Sequence, residues 1–151
     1  MTAELARLNQ LTKKQNELYH QCAKRANLTD SQFWVLYAVC EAEDALCQNT
    51  FCERWCYSKQ TVNTAVATLE KKGLLELRYA KGSHKQKEIR LTPAGQTFCD
   101  KHIRTLMRAE SGALMQLTEE ECQKFFSLQE RLLATLERQL ISSITAEVSN
   151  L

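Results

Sequence analysis

Between Ser58 and Gly73 the apolar side chains recur at Val62, Ala65, Val66 and Leu69, while Gln60, Asn63, Thr64, Ala67 and Lys71 take the opposite positions. That spacing predicts an amphipathic helix with one buried and one outward face. Ser58 suits the N-cap, because its hydroxyl can accept a bond from an otherwise unpaired first-turn N–H. Gly73 suits the stop, because it enters the left-handed region without a Cβ clash. The period then changes to two. Leu75, Leu77 and Tyr79 alternate with Glu76 and Arg78, and beyond the segment AKGSHKQ, Ile89 and Leu91 alternate with Glu88 and Arg90. This predicts a two-stranded hairpin with a basic, Gly-containing tip and one apolar face.

The flanks are helical in pattern. Leu5, Leu8, Leu11, Leu18, Cys22 and Ala26 form a stripe, interrupted at Thr12–Asn16, along a helix over 2–27. A helix of about 25 residues is ~37 Å long, more than a small module can cover, so it needs another surface. Thr29 and Gln32 predict a capping box. The helix they open carries Phe33, Leu36, Tyr37 and Cys40, widened by Trp34 and Val35, and ends near Glu41–Asp44. Ala45–Cys47 fits a very short extended piece. Gln48 or Asn49 then opens a short helix with Phe51, Cys52, Trp55 and Cys56. Only a couple of residues separate it from the helix at Ser58, which is helix-turn-helix spacing. Thr92-Pro93 starts another helix, carrying Phe98, Cys99, His102, Ile103, Leu106 and Met107 and weakening or ending at Gly112. Thr118–Glu121 predicts a further capping box. The last helix, to about Ile144, has a wide apolar face through Phe125, Leu128, Leu132, Leu133, Leu136, Leu140 and Ile144. The predicted fold class is mostly α with a small β-hairpin wing: a winged helix-turn-helix over about 29–92, flanked by long helices over 1–27 and 93–151.

Composition narrows this picture. The 151 residues, 44% hydrophobic with 4 Gly and 1 Pro, fit one mostly helical chain with a packed core. No apolar run reaches the length of about 20 residues that spans a bilayer, and the polar start MTAELARLNQLTKK lacks a signal-peptide core. A cytoplasmic protein with no membrane partner is expected. The net charge of +2 is unevenly spread: residues 58–92 hold eight basic and three acidic side chains. Positive charge therefore collects on the predicted reading helix and hairpin, as in a nucleic-acid-binding module. The outward stripe fits that partner. Gln and Asn amides can bond an adenine edge, and Thr can touch a thymine methyl.

The order of elements resembles the MarR family of bacterial transcription regulators. The residues that carry the likeness are Leu28-Thr29, Gln32-Phe33, Val35-Leu36, Ser58-Lys59-Gln60-Thr61-Val62, Leu69-Glu70-Lys71-Lys72-Gly73-Leu74-Leu75, and Ile89-Arg90-Leu91-Thr92-Pro93-Ala94-Gly95. The resemblance implies a homodimer joined through the terminal helices. It would bind double-stranded DNA at a pseudo-palindromic operator, as a ligand-responsive repressor. Gln60, Asn63 and Thr64 are then expected to read bases. Asn49, Thr50, Ser58, Lys59, Thr61 and Lys71 are expected to meet phosphates, positioning rather than specifying. The wing residues are Lys81, Ser83, His84, Lys85 and Lys87. Family wings carry an acidic residue and an Arg at the tip; Ser83 and Lys85 hold those places here. The wing is therefore expected to act as an electrostatic clamp, since Lys is a strongly hydrated point charge.

Three further groups have competing readings. Tyr19, Trp34, Tyr37 and Trp55 fit core packing or the wall of a small-molecule effector pocket. The seven cysteines, without a CxxC pair or a dense His cluster, fit small buried hydrophobes. A thiol-based oxidant sensor would draw on Cys22, Cys52 or Cys56. A winged-helix protein-interaction module without specific DNA binding is the other alternative. No phosphate loop or nucleophile motif is present, so neither an enzyme nor a cofactor is expected.

Overall fold

The computed structural model describes residues 2–43, 45–55, 57–80 and 87–148. Six helices and three strands follow in order: α1 (Ala3–Arg25), α2 (Asp30–Glu41), β1 (Ala45–Cys47), α3 (Gln48–Trp55), α4 (Lys59–Lys71), β2 (Leu75–Tyr79), β3 (Lys87–Leu91), α5 (Pro93–Leu114) and α6 (Glu119–Val148). The chain divides into two compact units, residues 1–107 and 108–151.

In the first unit, local chemistry sets the element ends. Thr29 accepts from the Gln32 N–H, and the Gln32 side chain accepts from the Thr29 N–H, completing the predicted capping box of α2. Ser58 caps α4 by accepting from the Thr61 N–H at 3.1 Å. Gly73, at φ +70°, ends it. The core lies where α2, α4 and the sheet meet. Phe33, Leu36, Phe51, Val62, Val66, Leu69 and Ile89 are buried there.

The extended piece at Ala45–Cys47 turns the predicted two-stranded wing into a three-stranded antiparallel sheet of order β1-β3-β2. Leu46 pairs with Ile89 and is itself buried, so the short strand is held by packing as well as by its ladder.

The start of α5 is fastened to the turn after α4. The Thr92 N–H donates to the Leu74 carbonyl at 3.1 Å, the Thr92 hydroxyl donates to the Gly73 carbonyl at 2.6 Å, and the Gly95 N–H donates to the Thr92 hydroxyl at 3.0 Å. α5, expected to weaken or end at Gly112, continues to Leu114. A single Gly costs only about 1 kcal/mol in a helix interior, which a helix of several turns absorbs.

The second unit contains α6. Its Thr118 hydroxyl accepts from the Glu121 N–H and the Glu121 carboxylate accepts from the Thr118 N–H, the predicted capping box. The helix passes the expected end at Ile144 to reach Val148. Its apolar stripe is exposed: Phe125, Leu128, Leu132, Leu133, Leu136, Leu140 and Ile141 all face solvent. α1 likewise exposes Leu5, Leu8, Leu11 and Leu18.

Candidate nucleic-acid interface

α4 divides its residues as the periodicity predicts. Val62, Ala65, Val66 and Leu69 are buried, which fixes the helix's rotation about its own axis. Gln60, Asn63, Thr64, Ala67 and Lys71 are exposed as a consequence, together with Lys59 and Thr61. The hydroxyls are partly committed. Ser58 and Thr61 hydroxyls bond each other at 2.8 Å. Thr64 donates its hydroxyl to the Gln60 carbonyl at 2.9 Å, so its methyl and its acceptor lone pairs are what it offers outward. Behind the helix, the Lys72 ammonium donates to the Asn27 carbonyl at 3.1 Å, tying the end of α4 to the turn after α1.

The preceding helix contributes less that can be described. Phe51 anchors α3 in the core and Thr50 is half-buried. The Asn49 side chain lies outside the described residues. Tyr57, in the link between α3 and α4, stacks on Phe51 at 5.8 Å. Burial, and then the nearby Asp30 carboxylate, raise the Tyr57 pKa above the usual phenol value.

The hairpin has two unlike faces. On one, Glu76 and Arg78 of β2 stand opposite Arg90 and Glu88 of β3. Arg78 pairs with Glu76 at 2.7 Å and Arg90 with Glu88 at 2.8 Å. Two of the segment's arginines are therefore neutralised within the sheet, which charge counting could not reveal. The other face begins buried at Leu75 and becomes exposed at Tyr79, which is 60% exposed although it continues the apolar alternation. Its register partner is Lys87, whose ammonium lies 5.9 Å from the ring centre. The predicted tip residues Lys81, Ser83, His84 and Lys85 lie outside the described residues.

The four aromatic residues proposed as a pocket wall do converge. Trp34 contacts Tyr19 at 4.8 Å, Trp55 at 5.1 Å and Tyr37 at 5.3 Å between ring centres, and all four are half-buried. Rings this close pack on one another and present a platform drawn from α1, α2 and α3. Cys22 and Cys52 are half-buried, and Cys56 lies outside the described residues. Among the described residues, no group of three or more His, Cys, Asp or Glu side chains could hold a metal ion, and no helix is long and apolar enough to cross a membrane.

Sequence reasoning missed two residues of this region. The alternation places Tyr79 on the apolar face, and only the hairpin's projection beyond the core exposes it. Gly95 has its Cα against β2's approach: a Cβ there would lie 1.9 Å from the Leu74 carbonyl oxygen. The Thr-Pro-x-Gly spacing was the available signal.

Residues 26–86 match the model of the MarR family. Over these residues the winged-helix module is similar to the MarR family. Solved structures with the same fold extend the likeness of the MarR module to nearly the whole chain. A MarR family regulator from Neisseria meningitidis superposes with a TM-score of 0.76 at 18% identity, covering 94% of this chain and 99% of the other. A MarR family transcriptional regulator from Listeria monocytogenes, solved with 26mer DNA, has a TM-score of 0.68 at 23% identity, covering 90% of each chain. The Staphylococcus aureus MepR–DNA complex has a TM-score of 0.67 at 21% identity, covering 90% of this chain and 98% of the other. No curated protein matches this chain. The chain thus has the fold of these MarR-type winged-helix structures.

Proposed function

We propose that this chain is a sequence-specific, double-stranded DNA-binding transcription regulator. It acts as a homodimer on a pseudo-palindromic operator, as a ligand-responsive repressor. The observation that carries the reading is the outward face of α4. Gln60, Asn63 and Thr64 are exposed in one stripe while the opposite stripe is locked in the core. A surface helix with amides and a hydroxyl there, flanked by Lys59 and Lys71, suits a major groove: the amides meet base edges and the lysines meet phosphates. Ser58, Thr61, Thr50 and Asn49 would line the backbone track, and the wing would add charge. The DNA-bound relatives support the same use of the fold.

The homodimer is supported by the exposed apolar faces of α1 and α6. A contiguous stripe such as Phe125 to Ile141 is rarely left in water. In this reading residues 29–92 form the reading module, and the terminal helices join the protomers. The aromatic platform of Tyr19, Trp34, Tyr37 and Trp55 is where an aromatic effector would stack.

Selection of bound DNA from a random library tests binding, half-site symmetry and spacing together. Asn63→Ala should then weaken binding to the selected site by about 1–3 kcal/mol and relax one base position. Equal losses on selected and scrambled DNA would refute base reading by this helix.

A further inference from the structure

The hairpin's two faces differ in what they can offer to a polyanion. On the face of Glu76, Arg78, Glu88 and Arg90, each guanidinium already holds a carboxylate, at 2.7 and 2.8 Å. A phosphate meeting that face would have to compete with two carboxylates. On the other face, Lys87 opens β3, and among the described residues no carboxylate pairs with it. Its ammonium instead lies 5.9 Å from the centre of the Tyr79 ring, directly across the ladder. Tyr79 is 60% exposed, so core packing does not account for this large aromatic residue.

From this asymmetry we infer that Tyr79 is a positioning residue. Its ring holds the Lys87 ammonium on the hairpin's uncompensated face, pointed for a DNA phosphate. The inference rests on the DNA-binding reading above and names a residue that neither the reading helix nor the wing tip includes. The ring's effect is entropic as well as electrostatic. A free lysine loses several rotatable bonds when it docks on a phosphate. A ring face that attracts the ammonium restricts those rotamers beforehand, without withdrawing the charge as a carboxylate would. Tyr79 therefore acts on DNA through Lys87 and needs no base contact of its own.

The test is a double-mutant cycle on the full chain, read by fluorescence anisotropy with DNA selected from the random library, across a salt series. Lys87→Met should weaken binding to all sequences and reduce the salt slope by about one. Tyr79→Ala and Tyr79→Leu should each weaken binding about two- to fivefold, while Tyr79→Phe keeps parental affinity, because Phe retains the ring face and Leu only the bulk. In the Lys87→Met background, Tyr79→Ala should cost nothing further. Parental affinity in Tyr79→Leu, or a Tyr79→Ala loss that persists in full without Lys87, would overturn the positioning role alone. Absence of salt-dependent DNA binding by the parent chain would overturn this role together with the reading on which it rests.

Discussion

Replacing Gly95 by alanine should damage the fold, whereas the same change at Gly112 should improve it. A Cβ on Gly95 would lie 1.9 Å from the Leu74 oxygen and 2.9 Å from its carbon, both backbone atoms that cannot rotate away. Real Cβ contacts essentially never fall below 3.0 Å, so α5 and the segment before β2 must separate by roughly 1 Å. That movement stretches the Thr92 N–H to Leu74 bond, now 3.1 Å, and the Thr92 hydroxyl to Gly73 bond, now 2.6 Å. Two hydrogen bonds at about 1 kcal/mol each, with ~1–3 kcal/mol of overpacking strain, give a loss of about 3–5 kcal/mol. Gly112 meets nothing within 4 Å and lies inside α5. There alanine should add about 0.5–1 kcal/mol through helix propensity. Urea denaturation of parent and both variants, followed by circular dichroism at one fixed protein concentration, measures the pair. A Gly95→Ala midpoint within ~0.5 kcal/mol of the parent would refute the clash argument.

Other outcomes can be checked alongside. Ser58→Ala removes the acceptor for the Thr61 N–H at 3.1 Å and should cost about 1 kcal/mol of stability in the same denaturation assay, with DNA affinity reduced on every sequence. Leu133→Glu with Leu136→Glu places two charges on the exposed α6 stripe; sedimentation should show a monomer and anisotropy a loss of operator binding, and an unchanged dimer would remove α6 from the interface. His102, against Phe98 at 4.6 Å, has its pKa lowered by burial and then by Lys101. Its contribution to stability is therefore complete above the ordinary value of 6.5 and declines as pH falls below it toward the lowered folded value. His102→Gln should flatten that part of the stability–pH curve, and an unaltered curve would discount the histidine.

The sequence by itself determined the elements whose causes are local. The alternation of Val62, Ala65, Val66 and Leu69 with Gln60, Asn63 and Thr64 set both the helix and the face it shows, because a helix that buries one stripe must expose the other. The caps at Thr29, Ser58 and Thr118 were readable for the same reason: donor and acceptor lie within one turn. Tertiary structure decided what depends on distant residues meeting. β1 is a strand because Leu46 finds Ile89, and Gly95 matters because Leu74 approaches it. The aromatic platform gathers rings from three helices. The hairpin's charge is a further case: counting its lysines and arginines gave one basic segment. Arg78 and Arg90 each fold onto a carboxylate two residues away on the same strand and the same face, and antiparallel register sets Tyr79 opposite Lys87 on the other. Electrostatics depends on separation in space, and pattern along a chain reports only separation in sequence.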